Sequence, residues 1–313
     1  MADRCLVTGG AGFIGSHIVR GLLERGHFVR VIDNLSTGRL SRLSEVRGDI
    51  DFVEDDLRDA GACTRVTRDI DTVYHLAALP SVPRSMRDPW ASHDHNVNAT
   101  VRLLQASAAA GVGRLVFSSS SSVYGDTEIL PKVEATEPLP RSPYAAAKLS
   151  GEQYVLAFAR SGMVEGVALR YFNVFGPEQD PGSAYAAVIP AFMDAALQGT
   201  PARIFGDGRQ TRDFTYIDNV VEANFLAGTG PAEKVNEVVA NVGAGDRTSL
   251  LELVERIRTA SGRELDFELT DPRPGDVRDS LASLDRARDR LGYCPRIGLD
   301  EGLSRTWEWF LTR

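Results

Sequence analysis

The chain has 313 residues, 25% charged and 43% hydrophobic, with a formal net charge of −8. That acidity argues against a general nucleic-acid footprint, and no stretch approaches the roughly 20 uninterrupted apolar residues of a membrane helix. The three cysteines, Cys5, Cys63 and Cys294, are scattered, with no Cys or His at metal-ligand spacing, so no metal site is expected and all three read as packing residues.

Residues 4–7 read as a short apolar strand that runs into the glycine-rich turn Gly9 to Gly15 and an amphipathic helix over 16–25, ended by Gly26. Gly9, Gly12 and Gly15 allow a sharp turn, a close approach of backbone to a pyrophosphate and tight packing of helix on strand, while the helix N-terminus offers unpaired N–H groups. A second strand, 28–32, ends in Asp33, whose carboxylate suits the two hydroxyls of an adenosine ribose. An NADP enzyme more often has a basic residue beside that acid. Arg39, six residues on, is the nearest, so NAD is the expected cofactor.

Strand patterns recur at 50–53, 72–76, 114–118 and 166–169, with long helices expected over 90–111 and 144–161. This alternation predicts an α/β fold, a doubly wound parallel sheet of Rossmann type. Beyond Asn173 it loosens into Gly- and Pro-rich loops with helices near 188–199, 250–261 and 300–312, expected to form a smaller C-terminal α/β substrate-binding lobe. The expected division is an NAD-binding domain over 1–173, with return segments within about 212–243 (214–226 and 238–242), and a lobe over 174–313. The chain opens directly on a strand with no secretory pattern before it, so a cytoplasmic location is expected.

Tyr144 and Lys148 stand one helical turn apart in Y-A-A-A-K. A free tyrosine ionises near pH ~10, but a neighbouring ammonium and a nicotinamide cation both favour the phenolate, which makes Tyr144 a candidate base near neutrality. Ser120 would share the substrate hydroxyl.

Together these segments resemble the extended short-chain dehydrogenase/reductase family, and within it the UDP-sugar 4-epimerases. The matching stretches span essentially the whole chain: T-G-G-A-G-F-I-G-S-H, D-N-L-S-T-G, H-L-A-A, S-S-S-S-S-V-Y-G, S-P-Y-A-A-A-K, L-R-Y-F-N-V-F-G, G-D-G-R-Q-T-R-D-F-T-Y-I-D and P-R-P-G-D-V. S-V-P-R-S, L-P-K-V-E and Q-D-P-G-S-A-Y-A-A-V-I-P look like the bacterial branch acting on N-acetylated UDP-hexoses.

The resemblance implies Ser120, Tyr144 and Lys148 as the catalytic set. It implies NAD contacts at Gly9, Gly12, Phe13, Ile14, Gly15, Asp33, Asn34, Ser36, Thr37 and Gly38. It adds Asp56 and Leu57 at adenine, then Leu76, Ala77, Ala78, Asn96, Ser118, Tyr171 and Phe172, with Tyr144 and Lys148 shared with the cofactor. On the substrate side it implies Ser81, Arg84, Ser121, Ser122, Asn173, Ala187 and Val188. Arg212 and Arg273 would clamp the diphosphate through planar forks, and Asp276 would hold the uridine ribose.

The implied reaction is C4 epimerisation: the Tyr144 phenolate takes the C4 hydroxyl proton while C4 reduces NAD⁺, and the 4-keto sugar turns over before reduction from its other face. Related dehydratases carry Asp and Glu, and decarboxylases a Glu, where this chain has Ser121 and Ser122, and hydroxyls do not perform either role. A silent NAD-binding protein is disfavoured because Ser120, Tyr144 and Lys148 are all present. Ser280 stands where members restricted to plain hexoses carry Tyr, which leaves room for a C2 N-acetyl group and favours UDP-GlcNAc/UDP-GalNAc over UDP-glucose/UDP-galactose and the hexuronates. A homodimer through the 90–111 and 144–161 helices is expected, with Val101, Leu104, Val155 and Phe158 serving either that contact or the intrachain core.

Overall fold

The strands of the first half are apolar on both faces, a pattern that needs helices on both sides of a parallel sheet. The computed structural model, which describes residues 3–181, 187–272 and 277–312, has that arrangement. The chain runs β1 (Arg4–Thr8), α1 (Phe13–Glu24), β2 (Phe28–Asp33), a 3₁₀ turn (Leu40–Val46), β3 (Ile50–Glu54), α2 (Ala60–Val66) and β4 (Thr72–His75). It continues with α3 (Val82–Arg87), α4 (Pro89–His93), α5 (Ala99–Ala110), β5 (Arg114–Ser120), α6 (Pro143–Arg160) and β6 (Glu165–Tyr171). A π turn, Asp94–Asn98, links α4 to α5, so the helix expected over 90–111 is one run with a widened turn.

The remaining elements are β7 (Val174–Phe175), α7 (Val188–Gln198), β8 (Ala202–Phe205), β9 (Thr211–Arg212), β10 (Thr215–Tyr216), α8 (Ile217–Thr229) and α9 (Ala232–Val235). After them come β11 (Val238–Val242), β12 (Thr248–Ser249), α10 (Leu250–Ser261), β13 (Phe267–Thr270), α11 (Asp285–Leu291) and α12 (Leu299–Thr312).

Seven strands form one sheet in the order β11-β6-β5-β4-β1-β2-β3, with every pairing parallel. The chain leaves β1 toward β2 on one side and reaches β4 on the other, so the crevice beyond the C-terminal ends of β1 and β4 is the switch point at which open α/β sheets bind ligands. Of the two segments expected to return to the sheet, 238–242 does so as β11. Residues 214–226 do not. Thr215 and Tyr216 pair with Val174 and Phe175 in a separate ribbon, and the apolar residues Ile217, Val220 and Val221 recur at helical spacing along α8, which packs against α1.

Core residues from both parts of the chain belong to one cluster, including Val7, Val167, Phe175, Phe192, Ile204, Leu253 and Trp307. A second cluster fills the other face of the sheet and includes Leu104 and Val155, with Phe158 packed against it, so these positions serve the intrachain core. Cys5 and Cys63 are buried as expected, but Cys294 is exposed. No described helix is long and apolar enough to cross a membrane.

Candidate active site

A cleft of about 820 Å³ opens at the switch point. Its cofactor end is built on the glycine turn. A β-carbon on Gly9 would stand 2.8 Å from the Ala77 backbone, and one on Gly15 2.2 Å from the Gly9 carbonyl oxygen, so turn, strand end and helix pack at distances that only glycine permits. No side chain caps the first turn of α1, where Phe13, Ile14 and Gly15 face the cleft. Those backbone N–H groups suit a diphosphate.

Asp33, 8% exposed at the end of β2, accepts from the backbone N–H groups of Ala11 at 2.9 Å and Leu35 at 2.8 Å. Burial nevertheless raises its pKa. Gly38 lies behind it, since a β-carbon there would come 2.7 Å from an Asp33 carboxylate oxygen. Ser36 and Thr37 line the same end. Asn34 donates to Asp56 at 2.8 Å, and Arg58 hydrogen-bonds the Asp56 carboxylate and holds its pKa well below the usual range. Arg39, the nearest candidate for a 2′-phosphate, is ion-paired with Asp180 instead. The residues present therefore fit NAD.

Three adjacent segments carry the proton-transfer residues. Ser120 ends β5 and its hydroxyl accepts from the backbone N–H and hydroxyl of Ser122, the latter at 2.9 Å. Ser142 caps α6 by accepting from Ala145, Pro143 starts the helix, and Tyr144 and Lys148 follow on its cleft face. The Lys148 ammonium donates to the Ser118 carbonyl at 2.8 Å. Its pKa is lowered to about 8 by burial. In the protein alone, burial pushes the Tyr144 pKa up to about 12, with the hydrogen bond from Ser120 as the opposing influence. The Lys148 ammonium is engaged with a carbonyl, so lowering the Tyr144 pKa falls in large part to the positive charge of the nicotinamide.

The far end of the cleft is lined by Ser81, Arg84, Ser121, Ser122, Asn173, Ala187, Arg212 and Ser280. Ser81 has φ 100°, a left-handed conformation rare for a serine, held as its hydroxyl caps α3 by accepting from the Arg84 N–H. Asn173 donates to the Asp213 carbonyl at 3.0 Å. Arg212 donates to the Thr211 and Arg278 carbonyls and borders both this cleft and an adjoining pocket of about 570 Å³. That second pocket also takes in Ala187, Phe205, Gln210 and Val188, which is not on the main wall.

Leu57, Leu76, Ala77, Ala78, Ser118, Tyr171 and Phe172 lie on the main wall as expected, although the Tyr171 hydroxyl donates inward to Asn224 at 2.9 Å. Asn96 is not on that wall. Buried at 2% exposure, it accepts from the Leu79 N–H at 2.8 Å and donates to the Leu79 carbonyl, which fixes the loop beside the cofactor end. Arg273 and Asp276 fall outside the described residues.

The sequence reading missed Arg42, Lys132, Arg141, Gln179, Asp180 and Asp279 on the wall. Lys132 belongs to the L-P-K-V-E stretch. It is 2% exposed, donates to the Thr127 carbonyl, and its pKa is lowered by burial. Lys132 pairs with Ala282 in an isolated parallel bridge, and Ser280, two residues before Ala282, also lines the cleft.

A family model described as the NAD dependent epimerase/dehydratase family matches residues 5–243. A UDP-glucose 4-epimerase of Mycolicibacterium smegmatis is 41% identical over 98% of each chain. A UDP-N-acetyl-alpha-D-glucosaminuronate decarboxylase of Bacillus cytotoxicus is 34% identical over 99% of this chain and 98% of the relative. The solved UDP-N-acetylglucosamine 4-epimerase of Methanobrevibacter ruminantium M1, in complex with UDP-N-acetylmuramic acid, superposes with a TM-score of 0.93 at 40% identity over 99% of each chain.

Proposed function

The chain belongs to the NAD-dependent epimerase/dehydratase family, and we propose that it is a UDP-sugar 4-epimerase whose preferred pair is UDP-GlcNAc and UDP-GalNAc. The observation that carries the reaction is the convergence of Ser120, Tyr144 and Lys148 in one cleft with two serines, Ser121 and Ser122, beside them. A dehydratase or decarboxylase needs a further acid or base at that place. NAD, when bound, supplies a reversible hydride acceptor for C4.

The residues of the chain do the rest. Tyr144 and Ser120 share the C4 hydroxyl; the Tyr144 phenolate, favoured by the Lys148 ammonium together with the positive charge of bound NAD⁺, takes the hydroxyl proton as the carbonyl forms. Lys148 holds its ammonium against the end of β5, one turn from the phenol. Arg212, and Arg273 and Asp276 by resemblance, retain the nucleotide, with the adjoining pocket taking the uracil. The keto-sugar, held by fewer contacts, turns about its phosphate link, and Tyr144 returns the proton after reduction on the opposite face.

Ser280 supports the N-acetylhexosamine preference because a small side chain on the wall leaves space for an acetamido group. The specificity test is kcat/KM for UDP-GlcNAc against UDP-glucose and UDP-glucuronate. A clear preference for UDP-glucose would overturn this assignment. The second reading, a hexuronate, is favoured by the presence of Lys132 among the residues of the same wall, and a preference for UDP-glucuronate that is lost in Lys132→Met would establish it.

The proposal includes a homodimer in the cytoplasm. Met86, Trp90 and Tyr154, on α3, α4 and α6, are 61%, 71% and 43% exposed, an apolar surface that a second copy would cover. Light scattering that finds a monomer at micromolar concentration would remove the dimer.

A further inference from the structure

The residues of the proposed proton relay lie on three segments: the end of β5, the 3₁₀ turn Ser121–Tyr124 that follows it, and α6. One buried ion pair touches all three. Glu152, 1% exposed, follows Lys148 by one helical turn and Tyr144 by two, on the same face of α6. Its carboxylate accepts from Arg170 through two bonds, from Nη2 at 2.6 Å and from Nε at 3.0 Å. The same carboxylate accepts from the Ser119 hydroxyl at 3.0 Å, between Ser118, which receives Lys148, and Ser120.

Arg170, 3% exposed, lies on β6 in register with Ser119. Its guanidinium carbon stands 4.7 Å from the centroid of Tyr124, the residue that closes the turn. Tyr124 in turn donates to the Asn241 side chain at 2.7 Å, and Asn241 donates to the Lys132 carbonyl at 2.9 Å. Neither Glu152, Arg170 nor Tyr124 lines the cleft.

Stability alone gives no strong reason for this arrangement, because buried ion pairs are often replaced by apolar residues of similar volume at no cost. This pair also leaves Arg170 Nη1 without a hydrogen-bond partner among the described residues. What its geometry does accomplish is to hold helix, strand end and turn in one register. We propose that Glu152 and Arg170 are positioning residues that set the Ser120–Tyr144 separation by tying β5 and its turn to α6. The proposal rests on the epimerase reading and touches neither substrate nor cofactor.

The test uses the enzyme with the NAD it carries and UDP-GlcNAc as substrate, together with the variants Ser119→Ala, Arg170→Lys and the apolar double variant Glu152→Leu/Arg170→Met. For each, kcat, KM, melting temperature and the absorbance of NADH formed on the enzyme are measured. The double variant is expected to melt near the parent yet lose about 10- to 100-fold in kcat with KM little changed, the scale on which small misplacements of catalytic groups are felt. Arg170→Lys should lose kcat in the same way, and Ser119→Ala several-fold. A double variant with the parent's kcat would overturn the proposal. Should that variant fail to fold, unchanged kcat in Ser119→Ala would do so. Activity surviving in Tyr144→Phe would instead defeat the epimerase reading itself.

Discussion

Gly151 on α6 lies against the ring of Phe117 on β5, so closely that a β-carbon on the glycine would stand 2.6 Å from Phe117 Cζ. Phe117 is 1% exposed and part of the core beneath the sheet, with little freedom to yield. This contact allows α6 to settle on β5 where the Lys148 ammonium reaches the Ser118 carbonyl. Gly151→Ala gains helix propensity but overpacks the interface, which costs about 1–3 kcal/mol. It is expected to lower the melting temperature and kcat together, while KM for the UDP-sugar stays near that of the parent. A variant more stable than the parent and fully active would contradict the close fit.

The Asp33 carboxylate is oriented by the backbone N–H groups of Ala11 and Leu35 at the glycine-turn end of the cleft, and its predicted task is to accept ribose hydroxyls. Replacing it by Asn removes the charge from hydrogen bonds worth about 1.5–3 kcal/mol when charge-assisted. The expected result is NAD binding weaker by about 10- to 100-fold and little NAD copurifying. Stoichiometric NAD in purified Asp33→Asn would show that the adenosine end contributes little to retention.

Ser280→Tyr places a ring on the substrate wall beside Lys132. Turnover of UDP-GlcNAc should fall relative to UDP-glucose by about 1–3 kcal/mol in transition-state binding, or 10- to 200-fold in the ratio of kcat/KM values. An unchanged ratio would place the C2 substituent elsewhere in the cleft.

His75 links stability to pH. It is 1% exposed between Thr8 and Thr100, with Nδ1 2.8 Å from the Thr8 hydroxyl and Nε2 2.9 Å from that of Thr100. The Thr100 hydroxyl donates its proton to the Asn96 carbonyl, so Nε2–H donates to Thr100 and Nδ1 accepts from Thr8. A second proton, on Nδ1, would face the Thr8 hydroxyl oxygen, which already accepts from the Leu76 and Ala77 N–H groups. Burial lowers the pKa of His75 to about 3, and burial with nearby Arg20 lowers that of His17 to about 4. The unfolded chain takes up these protons near pH ~6.5. Stability is therefore full above that pH and falls as pH drops from about 6.5 toward 4. Asp213, raised to about 6 by burial, opposes part of this below pH 6. The stability difference between the parent and His75→Asn is expected to narrow from pH 7 to pH 5 in paired thermal melts. A constant difference would show that His75 does not titrate between the two states.

The sheet and its helices were legible because their signals are local: apolar runs and glycine punctuation each act within a few residues. The cofactor end followed from the same motifs, with Gly9, Gly15 and Asp33 placed as anticipated. What the sequence concealed depends on contacts across the fold. Arg39 reads as a free cation near Asp33 until Asp180, 141 residues away, is seen to pair with it. Lys132, on the cleft wall, is bridged to Ala282, 150 residues away in the chain, a pairing that no local pattern announces. Asn96 reads as a cofactor contact, yet helix packing turns it inward. The Tyr144 pKa depends on desolvation, which spacing along a helix does not report.

The central claim is that this cleft inverts C4 of a UDP-sugar through Tyr144, with tightly held NAD and no net redox change. The most direct measurement is an NMR assay of the purified protein, without added NAD, against UDP-GlcNAc, UDP-glucose and UDP-glucuronate in parallel, with Tyr144→Phe beside it. The account predicts interconversion of a C4 pair, most rapid for UDP-GlcNAc, and a loss of about 10²- to 10⁴-fold in the variant, the usual contribution of a positioned proton-transfer group. Loss of water or carbon dioxide in place of an epimer, or a Tyr144→Phe variant as active as the parent, would contradict it.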